Sequence, residues 1–226
     1  MRYVHLGAVT PDQSIAIDRA VFESREKGLS EDTIHVYSRD RRTVSLGRFG
    51  DRSALLPGAD GIPCVRRMSG GGTILTGPGQ IVLSVTLGGS MPSRDLSFEM
   101  ICGGISDALK DLGMAAEYRP PNDVLAFGKK ISGGAQYRTA ECMLHHATLI
   151  VEGDPSVWDV LPPPRGARYN GLTSVAECIG RVPDRAEVAR LAAERIAERL
   201  GFGLEPGRLT EWESERSGIT ASVSDL

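Results

Sequence analysis

The stretch Asn122-Asp123-Val124-Leu125-Ala126-Phe127-Gly128-Lys129-Lys130-Ile131-Ser132-Gly133-Gly134-Ala135-Gln136 reads as two apolar strands joined at a glycine turn, with a lysine just after the turn and small residues behind it. Such an arrangement can hold an anionic, flat or elongated ligand against backbone. Lysine usage adds weight to the segment. The chain has 22 arginines but only four lysines, and two of the four are Lys129 and Lys130. An ammonium is a compact point charge and a guanidinium a planar fork, so an arginine-rich chain has kept an ammonium where a guanidinium would not substitute. Strand alternation sends the two lysines to opposite faces. Lys130 is expected to face a ligand and Lys129 to face away.

Outward from this segment, periodicity predicts further elements. Thr10-Pro11-Asp12-Gln13 has a cap residue, proline at the first helical position and Gln three residues after the cap, which predicts a helix over about 11–27. Thr33 to Arg39 and Thr43 to Arg48 are β-rich runs around the charged turn Arg39-Asp40-Arg41-Arg42, read as a hairpin. Strands are expected at Pro63 to Arg67, Gly72 to Leu75, Gln80 to Leu87, Tyr118 to Phe127, Lys130 to Gln136 and Leu144 to Val151. Helices are expected over about 95–112, despite Gly103-Gly104, and over Asp184 to Leu200. This order lacks regular strand-helix alternation, so the fold class is α+β with a mixed, largely antiparallel sheet flanked by helices. Leu161-Pro162-Pro163-Pro164-Arg165-Gly166 is a stiff surface connection within one domain spanning 1–226.

Composition narrows the function. A net charge of −3 and a pI near 5.9 supply no basic field for nucleic acid. Cys64, Cys102, Cys142 and Cys178 form no CxxC pair and no His/Cys zinc spacing, so reduced thiols and a cytoplasmic location are expected. The N-terminus has no signal-peptide pattern and no apolar run reaches membrane-spanning length, so no membrane partner is expected.

Arg66-Arg67-Met68-Ser69-Gly70-Gly71-Gly72-Thr73-Ile74-Leu75 joins two positive charges to three glycines that let backbone N–H groups approach a phosphate or carboxylate. Taken alone, this run is an ordinary flexible turn, and it matches neither the Walker nor the dinucleotide pattern. In Cys142-Met143-Leu144-His145-His146-Ala147-Thr148-Leu149-Ile150, only one of the two histidines can point inward.

Taken in order, Ser-Leu-Gly-Arg (45 to 48), Arg-Arg-x-Ser-Gly-Gly-Gly (66 to 72), Asn122-Asp123, Gly-Lys-Lys-Ile-Ser-Gly-x-Ala (128 to 135) and His-His-x-Thr-Leu (145 to 149) resemble the lipoate-protein ligase family over roughly residues 12 to 180. Octanoyltransferases and biotin-protein ligases share the superfamily fold; the Arg-Arg-x-Ser-Gly-Gly-Gly loop is of the lipoate type. The resemblance implies a biotin/lipoate-ligase-like catalytic domain that attacks the α-phosphate of ATP with lipoate. It then passes the lipoyl group from lipoyl-adenylate to a lysine of an acceptor protein. On that reading Lys130 is catalytic, contacting the acyl carbonyl and α-phosphate. Arg48, Arg67, Ser69, Gly70, Gly71, Gly72, Thr73, Ile74, Asn122, Asp123, Gly133, Ala135, His146 and Thr148 bind substrate or nucleotide. Arg67 engages phosphate, and Asp123 positions Mg²⁺ or the adenylate, with no tightly bound metal expected.

The chain departs from the ligase pattern at Thr76-Gly77-Pro78-Gly79-Gln80, where ligases carry His-Asp-x-Gly-Asn and octanoyltransferases carry Gly-Pro-Gly-Gln. The octanoyltransferase nucleophile, in Pro-Cys-Gly, is replaced by Pro164-Arg165-Gly166, which leaves Cys142 as the one candidate substitute, although a small buried hydrophobe is the role expected of it. Only 26 residues follow Leu200, so an accessory domain is expected on a separate small subunit. The alternatives implied are an acyl-carrier-dependent octanoyl or lipoyl transferase and a non-catalytic acyl-binding subunit.

Overall fold

The computed structural model describes residues 1–162 and 170–219. In chain order its elements are β1 (Arg2–Val9), α1 (Pro11–Glu26), β2 (Thr33–Arg39), β3 (Thr43–Leu46), β4 (Cys64–Arg66), β5 (Ile74–Thr76), β6 (Gln80–Gly88), α2 (Arg94–Asp111), β7 (Ala116–Arg119), β8 (Asp123–Ala126), β9 (Lys129–Arg138) and β10 (Cys142–Ile150). There follow α3 (Val157–Val160), α4 (Val175–Ile179), α5 (Arg185–Leu200), β11 (Glu205–Pro206) and α6 (Glu211–Ser217).

Eight strands form a large sheet in the order β11-β1-β2-β6-β10-β9-β8-β7, and three form a small one in the order β4-β3-β5. The pairs of β1 with β2 and β11 are parallel, and the rest of the large sheet is antiparallel. The mixed, largely antiparallel architecture is therefore present. Its strands alternate: Ile81, Leu83, Val85 and Leu87 of β6 join the core under α2 and α5, whereas Val82 joins Ile17 and Val21 of α1 on the opposite face.

Helix α1 starts as its residues dictate. The Thr10 hydroxyl accepts from the Gln13 N–H, and the Gln13 side chain accepts from the Thr10 N–H. The Gly103-Gly104 pair in α2 has a packing cause. A Cβ at Gly104 would stand 2.6 Å from the Ile196 Cα and 2.7 Å from its nitrogen on α5. Gly104→Ala gains up to about 1 kcal/mol of helix propensity. It also forces two backbones apart, a typical cost of about 1–3 kcal/mol. The clash is expected to win, so Tm should fall by several degrees in a thermal melt; a rise would refute close packing here.

Two expectations fail. Strands β2 and β3 do not pair with each other: β2 lies between β1 and β6, and β3 leaves to join β4 and β5. The expected continuous strand from Tyr118 to Phe127 is two antiparallel strands, because Pro120-Pro121 supply no N–H to a ladder and the chain turns there. The N-terminal strand β1 was not anticipated. It is fastened to α6 by the Arg2 guanidinium, which donates to both Glu213 oxygens at 2.7 and 2.9 Å. The connection expected after Leu161 runs beyond Pro162 outside the described residues.

Candidate functional site

On the α1 side of the large sheet, between it and the small sheet, lies a cavity of about 850 Å³. Ligand pockets usually span roughly 300–1,000 Å³. Of the residues singled out by sequence, Arg67, Gly71, Gly72, Thr73, Ile74, Asn122, Lys130, Gly133, Ala135, His146 and Thr148 line it.

Lys130 reaches this cavity by a departure from alternation. The β8–β9 ladder pairs Val124 with Ser132 and Leu125 with Lys130, so Ile131 is an extra residue on β9. Ile131 is buried in the core under α2 and α5, and the bulge brings Lys130 round to the face of Gly133 and Ala135. Strict alternation would have sent Lys129 there instead; Lys129 is exposed. The Lys130 ammonium lies 2.6 Å from Asp123 Oδ1. A Cβ on Gly133 would meet Lys130 Cε at 2.8 Å, Nζ at 2.9 Å and Asp123 Oδ1 at 3.2 Å. Glycine thus leaves the room in which the ion pair sits. Asn122 secures the same corner, its side-chain amide donating to the Gly134 carbonyl at 2.7 Å and its own carbonyl accepting from the Gly134 N–H at 2.8 Å. Gly133→Ala should fold normally, because the obstructed atoms belong to side chains. Its turnover is expected to fall roughly 10- to 100-fold, since a 1 Å misplacement of a catalytic group can cost that much. Turnover and melting temperature measured together check this, and unchanged turnover would contradict it.

Asp123, expected to position Mg²⁺ or the adenylate, is the carboxylate partner of Lys130. Among the described residues no group of three His, Cys, Asp or Glu could hold a metal ion.

Arg67, expected to engage phosphate, lines the cavity and is held by the glycine loop. It is buried, and Nε donates to the Ser69 hydroxyl, Nη1 to the Ser45 carbonyl and Nη2 to the carbonyls of Gly70 and Gly72. The guanidinium is the scaffold of the glycine loop. Burial, then Arg39 nearby, pulls its pKa down to about 10, so it stays charged at neutral pH. A Cβ on Gly70 or Gly72 would meet nothing within 4 Å, so the space above the loop is open. Ser69 and Gly70 belong to the loop without lining the cavity, and Arg48 is exposed at its edge, its guanidinium over the rings of Phe49 and Tyr137.

The two histidines divide as alternation requires. His145 faces α2, against Phe98, and burial lowers its pKa to about 3, so it is neutral. His146 faces the cavity. Its Nε2 meets the Ser69 hydroxyl at 2.5 Å and its Nδ1 meets Asp18 Oδ2 at 3.1 Å.

Asp18, on the buried face of α1, is the centre that sequence reasoning missed. Four groups converge on its carboxylate: His35 Nε2 at 2.9 Å and the Ser84 hydroxyl at 2.9 Å on Oδ1, the Tyr37 hydroxyl at 3.2 Å and His146 Nδ1 on Oδ2. Burial alone would raise its pKa; the hydrogen bonds and charge of His146 and His35 outweigh that and hold it well below the usual carboxylate range. A continuous chain therefore runs from Arg67 through Ser69 and His146 to Asp18, linking the glycine loop to α1. Arg39 was missed too. Buried at the end of β2 with Nε on the Ser14 hydroxyl and Nη1 on the Thr76 hydroxyl, it lines the cavity and adds a cation. The signal for both was present in His35, Tyr37 and Arg39, which alternate along one strand face.

All four cysteines are described, and none lines the cavity. Cys142 is the small buried hydrophobe that its sequence setting favours over a nucleophile: it packs with Phe22 and Leu144, and burial raises its pKa to about 12. Cys178 Sγ lies 3.6 Å from the hydroxyl of Thr173, which is a lining residue. Pro164-Arg165-Gly166 lies outside the described residues.

The family described as the lipoyl protein ligase A/B catalytic domain matches residues 10–197. In sequence the chain is similar to an octanoyltransferase LipM of Kyrpidia tusciae, 28% identical over an alignment of 255 positions that covers 95% of this chain and 92% of the relative. In fold it is similar to a bipartite lipoate protein ligase from Thermoplasma acidophilum, studied with its E2 lipoyl domain (TM-score 0.82, 22% identity, 96% of this chain and 90% of that one). It is also similar to a lipoate-protein ligase A bound with ATP (TM-score 0.83, 23% identity, 96% and 92% covered). No helix of the described residues is long and apolar enough to cross a membrane.

Proposed function

Because the chain belongs to the lipoyl protein ligase A/B catalytic-domain family, which holds lipoate ligases and octanoyltransferases, we propose that it is a lipoate-protein ligase catalytic domain. It activates lipoate with ATP to lipoyl-adenylate and passes the lipoyl group to a lysine of an acceptor protein. The observation that carries this reading is the pairing of a cavity-facing ammonium, Lys130, with a cavity that no cysteine lines. A reaction through lipoyl-adenylate needs positive charge at carbonyl and phosphate; a thioester route needs a thiolate within reach.

In this reading Lys130 stabilises charge developing on the acyl carbonyl and the α-phosphate, and Asp123 keeps its ammonium in place. Arg39 adds positive charge to the wall, and the open side of Gly72 admits the ligand. Mg²⁺ arrives with the nucleotide. An accessory part on a separate subunit accords with the bipartite ligase that shares this fold.

A second reading, transfer of an octanoyl group from a carrier-protein thioester, is favoured by the octanoyltransferase relative and would use Cys178. Lipoate-dependent exchange between ATP and pyrophosphate, run with and without an accessory subunit, separates the two. Exchange supports the ligase. No exchange in either condition, together with acceptor modification from octanoyl carrier protein, establishes the transferase.

A further inference from the structure

The two most exposed large hydrophobic side chains among the described residues are Phe49, at 86% of its surface, and Phe127, at 61%. Neither lines the Lys130 cavity, but each sits on a turn hydrogen-bonded to a segment that does, Phe49 beside the glycine loop and Phe127 beside Leu172. Phe49 rides on a turn fastened to the glycine loop: the Arg48 N–H donates to the Ser69 carbonyl at 2.8 Å, and Arg66 Nη1 donates to the carbonyls of Gly47, Arg48 and Gly50. Phe127 and Gly128 form the turn between β8 and β9, three residues or roughly 10 Å of extended chain from Lys130. That turn is tied to the cavity wall, because Gly128 accepts from the Asn170 N–H and the Lys130 N–H donates to Gly171, next to the lining residue Leu172.

Phe127 has a φ of 50°, in the left-handed region. An asparagine or glycine would occupy that position at lower cost. Its ring joins no hydrophobic cluster and no aromatic pair among the described residues. Strain and exposure that no contact among the described residues accounts for point outward. Each aromatic also has a cation beside it, Arg48 over Phe49 and the exposed Lys129 one residue beyond Gly128.

We propose that Phe49 and Phe127 are the two contact points of the acceptor protein, whose modified lysine is flanked by apolar and acidic side chains. This rests on the acyl-transfer reading above. Aromatic anchors on the two turns hold the acceptor, the adjacent cations select acidic flanks, and the lysine between them enters toward Lys130.

The test uses the full chain with Phe49→Ser, Phe127→Asn and the double variant. Two acceptors are compared, an E2 lipoyl domain and hydroxylamine, a small nucleophile that needs no docking surface. The acyl donor is whichever of lipoate with ATP or an octanoyl thioester supports hydroxamate formation by the wild type, so failure of the ligase reading is seen separately. The double variant is expected to raise KM for the lipoyl domain about tenfold or more, the scale of interface anchors, with hydroxamate formation unchanged. Phe127→Asn should also melt no lower than wild type while losing acceptor affinity. An unchanged KM for the lipoyl domain, or equal losses with both acceptors, would overturn the proposal.

Discussion

Lys130→Ala is expected to lower the rate of acceptor modification roughly 10²- to 10³-fold, the scale seen when one preorganised charge-stabilising donor is removed from an active site. The ammonium is aimed by three features that a substitution leaves intact: the bulge at Ile131, the carboxylate of Asp123 at 2.6 Å and the missing side chain at Gly133. Removing it takes away the charge without disturbing the scaffold, so the melting temperature should change little. Lys130→Arg should not restore activity. A planar guanidinium is wider than an ammonium, and the space beside Gly133 is already within contact distance of Nζ. Lys129→Ala, measured at saturating acceptor, is the control for the chemical step, because that side chain is exposed and points away from the cavity. Single-turnover rates for the three variants check the set. Full activity in Lys130→Arg would show that only net charge matters and not its shape.

The second large effect is expected at Asp18, and on stability. Each carboxylate oxygen receives two donors, and an asparagine offers only one oxygen. Whichever way the amide is turned, its NH₂ faces two donors. Breaking a buried charged network from one side typically costs about 3–5 kcal/mol, so Asp18→Asn should lower Tm by roughly 10 °C for a chain of this size. The glycine loop, joined to Asp18 through His146 and Ser69, should lose order with it, and the KM for the acyl substrate should rise.

The same carboxylate predicts the sign of the acid response. Its folded pKa is depressed, so its contribution is fully present above the ordinary carboxylate value and is lost as pH falls below about 3.8. His145, depressed to about 3, behaves alike over a higher window: its contribution is present above 6.5 and erodes between 6.5 and about 3. One group titrating in this way changes stability by about 1.4 kcal/mol per pH unit. Wild type should therefore weaken on acidification from pH 6.5, and Asp18→Asn should lose only the steeper part below pH 4. Denaturant melts across pH 3 to 7 measure both slopes.

What could be read in advance followed local rules. The capping box of α1, the amphipathic face of α5 and the opposite fates of His145 and His146 depend on residues within one element, and each was legible. The partner of β3 was not, because Thr43 to Leu46 would look the same in either sheet. Asp18 was illegible for a related reason: it is one acid among several on α1, and its four donors arrive from β2, β6 and β10. Pattern and strand alternation both assign Lys130 to the ligand side; the alternation argument fails, because unbroken alternation would turn Lys129 there, and a one-residue bulge is what brings Lys130 round. Arg67 carried the right charge in the right loop, but that it also ties the loop to β3, through the carbonyls of Ser45, Gly70 and Gly72 and the Ser69 hydroxyl, is visible only in three dimensions.

The proposed chemistry comes down to whether Lys130 moves an acyl group from an adenylate without a covalent enzyme intermediate. A single-turnover measurement with preformed lipoyl-adenylate and an E2 lipoyl domain tests this without requiring the activation step. Wild-type protein should accelerate transfer over the uncatalysed reaction, Lys130→Ala should not, and the intact mass of the enzyme should stay constant throughout. Transfer indifferent to the loss of Lys130, or an enzyme that gains an acyl mass on Cys178, would contradict it.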